Sequence, residues 1–386
     1  MKIKDFLTEK WMNDYERQAR YNLTDTSCDA LSMEDLLAFQ PDALANLPLD
    51  YGWITGDPAL RQEILSLYSN TNPATLTMTC GALQANEMAM AMLLHPEDHV
   101  ISFTPSYQQF AEFPQWFGCS VSVVPYQIQD WSLDFEKVKA ALKENTKLIV
   151  FANPSNPTGT WLDARQIAKL VAIAKDHSAK TGKPLWILCD EVYRDPLDEK
   201  QPAISDCYEY GISTGSFSKL FGLAGLRLGW VKANPKLIQE IDTFRDYSII
   251  SAGPLAEKLG LIALQHKEQI LEKTHQTVAQ NLAVIQDWLK KTPYFSCVLP
   301  SHGTVAFLKI PEGISSEAFA KDLLAQTGIF FVPGSCFGLE GYVRLGLGKT
   351  HADLAGVLDK LDAWTENWLA QMKSEVPMPK PANGSQ

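Results

Sequence analysis

Seven short apolar runs, separated by stretches of helical period, fill the middle of this sequence and restrict its fold more than any other feature. They lie at 75–79, 99–104, 120–125, 147–152, 185–190, 212–216 and 226–231. Each is of strand length, and the segments between them, such as 84–94 and 163–177, are amphipathic and long enough to be crossover helices. Strands that alternate with helices imply a parallel sheet, because parallel neighbours must be joined by a crossover. We therefore expect an α/β fold: a large domain with a mostly parallel seven-stranded sheet in an α/β/α sandwich, plus a smaller α+β domain.

The change of pattern comes after residue 253. Residues 255–291 contain no proline and a single glycine, and read as one long helix or two in tandem. A strand at 305–310, a helix at 315–326, two short apolar runs and a closing helix from about His351 follow. The expected division is a large domain over 46–255 and a small domain built from 1–45 and 256–373. A disordered tail is expected over 374–386, where three prolines interrupt a stretch without apolar period.

Charge and cysteine usage narrow the function classes. A formal charge of −11 disfavours a nucleic-acid partner, which needs a basic face. No apolar stretch approaches the roughly 20 residues needed to cross a bilayer, and no signal-peptide pattern opens the chain, so no membrane association is expected. The cysteines at 28, 80, 119, 189, 207, 297 and 336 form no Cys-x-x-Cys pair. Neither they nor the histidines show metal-ligand spacing, so no metal is expected and a reducing, cytoplasmic setting is.

Four segments carry chemistry. In 216–227, Ser216, Ser218, Lys219 and Arg227 sit among apolar residues and two glycines. Apolar neighbours favour the neutral, nucleophilic amine of Lys219, and hydroxyls with an Arg fork suit a phosphate. Taken alone, such a lysine is more often a solvated loop residue. Asp190, however, ends a strand whose carboxyl end faces the ligand crevice of an α/β sheet. Asn156 follows another strand within Asn153-Pro-Ser-Asn156-Pro-Thr-Gly159, and Gly81, Ala82 and Leu83 lie between a strand and a helix start, where free N–H groups attract an anion. All four segments fall at carboxyl ends of expected strands.

These motifs resemble those of the class I/II aminotransferases, fold-type I pyridoxal-phosphate enzymes, from about Tyr51 to the closing helix. The resemblance rests on Ser-x-Ser-Lys-x-x-Gly-x-x-Gly-x-Arg at 216–227, Asn-Pro-x-Asn-Pro-Thr-Gly at 153–159 and Asp-Glu-Val-Tyr at 190–193. It implies that pyridoxal 5'-phosphate is the cofactor, that Lys219 carries it and later moves the substrate proton, and that Asp190 faces the ring nitrogen. Asn156 and Tyr193 would meet the phenolic oxygen, and Tyr107 would stack on the ring. Ser216, Ser218, Arg227 and the backbone at Gly81, Ala82 and Leu83 would hold the phosphate. Arg344, with Asn156, would bind the substrate carboxylate. Tyr51 would reach the phosphate of a neighbouring subunit, which implies a homodimer with shared active sites. The implied reaction moves an amino group from an amino acid to a 2-oxo acid.

One departure bears on the reaction. Family members carry a glycine-containing segment near the N-terminus that closes over substrate, whereas residues 23–31 here contain neither glycine nor proline. That segment, with 244–247 and 253–255, is similar to capreomycidine synthase, a family relative that cyclises a hydroxylated arginine. Elimination or ring closure on a hydroxylated amino acid is thus the alternative to transamination. A non-catalytic cofactor-dependent sensor is a remote third reading, disfavoured by the acidic charge and by the presence of every expected catalytic residue type.

Overall fold

The computed structural model describes residues 3–375 except 199. Its seven-stranded sheet comprises β1 (Leu76–Thr79), β2 (His99–Thr104), β3 (Ser120–Pro125), β4 (Thr146–Ala152), β5 (Trp186–Asp190), β6 (Gly211–Ser216) and β7 (Gly229–Lys232), in the order β1-β7-β6-β5-β4-β2-β3. Only β7 runs antiparallel to its neighbours. The register sets Ala152, Asp190 and Thr214 side by side, so three strands end on one rim.

Alternate side chains of β4 explain the layers. Leu148 and Val150 face one core, shared with Ala85, Met88 and Ala89 of helix α1 (Ala82–Leu93). Ile149 and Phe151 face the other, shared with Ile167, Leu170 and Ala174 of α2 (Ala164–Thr181). A central strand buried on both faces needs a helix layer on each side, and each fully buried aliphatic side chain contributes about 1.5–3 kcal/mol. The start of α2 is fixed by a reciprocal capping box between Asp163 and Gln166, and left-handed Gly182 ends it.

The expected strand at 226–231 begins later, at Gly229. Ala224–Leu226 forms a single 3-10 turn and Arg227 is left-handed with φ +50°, so the chain cannot enter the sheet until Leu228 has passed. The stretch 255–291 is two helices, α3 (Pro254–Gln265) and α4 (Lys267–Leu289), broken at His266.

The second sheet is antiparallel: β8 (Ser296–Cys297), β9 (Val305–Lys309), β10 (Val332–Pro333) and β11 (Tyr342–Gly346), in the order β10-β11-β9-β8. It shares a core with α4, α5 (Ser316–Thr327) and α6 (Leu354–Glu375). The N-terminal chain joins this unit where Tyr21–Asn22 pairs parallel with Ile329–Phe330. Two pieces assigned by sequence to the small unit pack elsewhere: Leu36 and Leu259–Leu264 of α3 share a core with Leu60, Ile64, Phe217 and Leu228. The apolar face of α3 requires it, and the helical stretch breaks at His266. The closing helix runs to Glu375, past the expected start of the tail, and 376–386 lie outside the described residues. Among the described residues, no helix is long and apolar enough to cross a membrane, and no group of His, Cys, Asp and Glu is arranged to hold a metal ion.

Candidate active site

At the carboxyl rim of the large sheet, a cavity of about 490 Å³ opens between the two sheets. Asn156, Asp190, Tyr193, Ser216, Ser218 and Lys219 line it from the strand ends, Ala82 and Leu83 from the first turn of α1, and Arg344 from β11. Tyr107 and Arg227 also line it, and the N-terminal chain closes it with Thr8, Glu9, Asp25 and Thr26. Gly81 stands beside it, against the Arg227 guanidinium. Tyr51 is not part of this cavity; it is 65% exposed on the surface.

Lys219 is the one lysine among the described residues that lines the cavity. Its Nζ donates to Thr26 Oγ1 at 2.6 Å and lies 5.9 Å from the centroid of the Tyr193 ring. Burial, and then the nearby charge of Arg344, lower the amine to about 8. The backbone is tied as well, since Cys28 N–H donates to Lys219 O at 3.0 Å. Thr26 also shares a hydrogen bond with buried Tyr193, whose hydroxyl is raised far above its ordinary value by burial.

Asp190 is 5% exposed, and its two oxygens accept from Asn86 Nδ2 at 2.8 Å and Val192 N at 3.0 Å. Burial raises this carboxyl, and the Asn86 bond partly offsets the rise. Thr214 Oγ1 donates to Asn86 Oδ1 at 2.7 Å, and a hydroxyl donor there leaves Nδ2 facing the aspartate. The result is a buried carboxyl with its donors arranged and space for a cation in front.

The opposite end gathers groups that can donate to an anion. α1 begins at Gly81 with φ +84°, no side-chain cap and no acid in its first turn, so its N–H groups are unclaimed by a cap. A Cβ on Gly81 would stand 2.6 Å from Arg227 Nη2, so only glycine lets the guanidinium close this cradle. Ser216 and Ser218 supply hydroxyls beside it.

On the third side, β11 holds the buried Arg344. Its Nε donates to Thr24 O at 3.1 Å and Thr24 Oγ1 at 3.2 Å, and Nη1 donates to Asn156 Oδ1 at 3.5 Å. Those contacts orient the fork toward the cavity. Tyr107 packs between Phe6 and Phe110, with ring centroids 4.9 Å and 6.0 Å away. A larger recess of about 700 Å³ lies behind Tyr107; Lys4 and Glu112 on its wall pair at 2.9 Å, and of the cavity residues named above only Tyr107 borders it.

Sequence reasoning assigned no role to Asn86, Thr26, Glu9 or Asp25, all of which contribute here. The signal for Asn86 was present: a polar residue on the otherwise apolar face of Ala82, Ala85 and Ala89. Asp25 and Thr26 lie in the 23–31 segment already tied to the reaction, without individual roles, whereas Glu9 gave no signal, because it reaches the cavity only through the docking of the N-terminal chain.

The family described as aminotransferase class I and II matches residues 35–361. Capreomycidine synthase of Streptomyces vinaceus is 25% identical over 355 residues, covering 90% of each chain. An aspartate aminotransferase of Pyrococcus horikoshii is 28% identical over 364 residues, covering 86% of this chain and 91% of its own. A pyridoxal-phosphate-dependent aminotransferase from Streptococcus suis 89-1591 superposes with a TM-score of 0.89 at 34% identity, over 95% of this chain and 99% of the other. The pyridoxal-phosphate-dependent cyclase OrfR shares the fold, with a TM-score of 0.85 at 22% identity over 95% and 98% of the two chains.

Proposed function

The chain belongs to the class I and II aminotransferase family, whose members use pyridoxal 5'-phosphate, and on that premise we propose that it transfers an amino group from an amino acid to a 2-oxo acid. The observation that carries the proposal is the desolvated Lys219 amine, lowered to about 8, in one cavity with the prearranged Asp190 carboxyl. The residues fit the cofactor: a glycine-only cradle for its phosphate, an unpaired buried acid for its ring nitrogen and an amine for its aldehyde. When bound, pyridoxal phosphate supplies an electron-accepting ring that stabilises negative charge at the substrate α-carbon.

The chain's own groups do the rest. The neutral Lys219 amine acts as nucleophile, and once displaced it moves the proton at the substrate α-carbon. Asp190, held by Asn86, keeps a proton on the ring nitrogen, and Asn156 and Tyr193 donate to the phenolic oxygen. Tyr107 covers the ring. Ser216, Ser218, Arg227 and the N–H groups of Gly81, Ala82 and Leu83 hold the phosphate. Arg344, braced by Thr24 and Asn156, binds the substrate carboxylate as a fork.

A homodimer with shared sites belongs to the same reading. Leu49, Tyr51, Trp53 and Tyr247 are exposed, and the Tyr51 loop lies against Pro254 at the start of α3. Such a patch calls for a partner, and Tyr51 of the partner subunit would then reach the phosphate. The proposed division is a large sheet domain, extended to His266, and a small domain from the N-terminal chain and 267–373. A cytoplasmic setting is supported by cysteines that are all free.

Ring closure or elimination is the second reading. It is supported by the likeness, over 90% of the chain, to a capreomycidine synthase. The test is to incubate the cofactor-loaded protein with single amino acids and no oxo acid. Loss of the visible cofactor band to a near-ultraviolet one, with the oxo acid of the donor released, is expected for transamination. Ammonia or a cyclised product with the visible band retained would instead establish the second reading.

A further inference from the structure

The cavity has more negative charge than the proposed reaction uses. Its cations are Lys219, Arg227 and Arg344, and its anions are Asp190, Glu9 and Asp25. Under the proposed function every cation is already engaged, since Lys219 carries the cofactor, Arg227 faces its phosphate and Arg344 takes the substrate carboxylate. Asp190 is matched by the ring nitrogen. Glu9 and Asp25 lie within electrostatic reach of Lys219 and Arg344 but have no assigned ligand group of their own, on the side of the cavity where the N-terminal helix Leu7–Tyr15 closes it.

Asp25 is partly answered, by Lys349 Nζ at 3.4 Å and by Ser27 N–H at 2.9 Å. Glu9 makes no ion pair among the described residues; its Oε1 receives only the Tyr107 hydroxyl, at 3.4 Å. Beside it, Thr8 lines the same cavity, is 2% exposed, and its Oγ1 has no hydrogen-bond partner. A buried hydroxyl left without a partner is costly unless a ligand supplies one. Both features point to a missing donor between the N-terminal helix and residues 25–27. The helix is held in place to meet it: Trp11 Nε1 donates to Phe331 O at 2.9 Å and Leu7 N to Gln108 Oε1 at 2.8 Å.

We propose that Glu9, Asp25 and Thr8 form a subsite for a cationic amino-acid side chain, an ammonium or guanidinium group, so that the substrate is a basic amino acid. This rests on the proposed function and names its substrate class. An acidic side chain would meet two carboxylates, and no further cation among the described residues lines the cavity to receive it. A guanidinium presents several donors in a planar fork, which suits two carboxylates and a hydroxyl better than a point charge does.

The experiment measures binding by the cofactor-loaded protein of L-arginine, L-lysine, L-citrulline, L-alanine and L-aspartate, from the early change in cofactor absorbance. Calorimetry on cofactor-loaded Lys219→Ala, which cannot turn over, gives a second readout. L-arginine is expected to bind at least about tenfold more tightly than its neutral isostere L-citrulline, with L-aspartate weakest. Glu9→Gln should bring the arginine-to-citrulline ratio to within about twofold of unity, while Asp14→Asn, on the exposed side of the same helix, keeps it. Citrulline or aspartate binding as tightly as arginine and lysine would overturn the proposal, and this comparison needs no variant. An unchanged ratio in folded Glu9→Gln would overturn it too. Silence towards both arginine and lysine would overturn the subsite, while the proposed function stands or falls on the wider panel of single amino acids.

Discussion

Asn86 and Asp190 are joined side chain to side chain, with Nδ2 donating to Oδ2 at 2.8 Å in a fully buried setting. The amide cannot turn away, because its oxygen is held by Thr214 at 2.7 Å. Asn86→Ala therefore leaves the carboxyl with a single backbone donor and raises it further above its ordinary range. Cofactor affinity, titrated by tryptophan fluorescence, should fall about tenfold, the effect of losing one hydrogen bond to a charged group. An unchanged affinity would remove Asn86 from the site.

The amine of Lys219 is lowered to about 8, so its reactive neutral form is scarce at pH 6 and dominant at pH 9. The rate at which the apoprotein captures pyridoxal phosphate should rise about tenfold per pH unit below that midpoint and level off above it. Arg344→Gln removes a repelling charge, so the midpoint should move upward. A wild-type midpoint at the ordinary lysine value would contradict the desolvation argument.

Two glycines should separate stability from binding. A Cβ at Gly222 would stand 2.0 Å from Asp29 O at φ +65°, a clash with fixed backbone. Gly222→Ala should cost more than about 2 kcal/mol in thermal unfolding. At Gly81 the obstacle is the mobile end of Arg227. Gly81→Ala should alter the melting temperature less, yet weaken pyridoxal phosphate far more than unphosphorylated pyridoxal. Equal losses for both ligands would show that the cradle does not serve a phosphate.

The exposed Trp53 and Tyr247 invite a test of the shared site. Trp53→Asp with Tyr247→Asp should produce monomers on size-exclusion chromatography and loosen the cofactor by about tenfold, as the hydroxyl of Tyr51 of the partner subunit is withdrawn. Monomers with undiminished affinity would confine the phosphate site to one chain.

The rim of the large sheet was legible because strand ends leave marks in a sequence. Asp190 closes an apolar run, Asn156 follows another within turn chemistry, and parallel register then sets their strands side by side. The N-terminal contribution was not legible. Glu9, Asp25 and Thr26 arrive by backbone docking: Leu23 N–H donates to Phe330 O at 3.2 Å, and a Cβ on Gly346 would meet Asp25 O at 2.0 Å. The glycine absent from 23–31 is thus replaced by glycines opposite it, at 222, 346 and 348, a relationship visible only in three dimensions. Arg227 shows the converse: its motif was recognisable, but its left-handed backbone delays the strand to Gly229.

The most direct measurement is borohydride reduction of the pyridoxal-phosphate-loaded protein, followed by mass mapping of its peptides. The expected result is one stable pyridoxyl-phosphate adduct, on the peptide containing Lys219, absent from Lys219→Ala. An adduct on another lysine, or none while the protein is folded and loaded, would contradict the assignment of Lys219 as the residue that carries the cofactor.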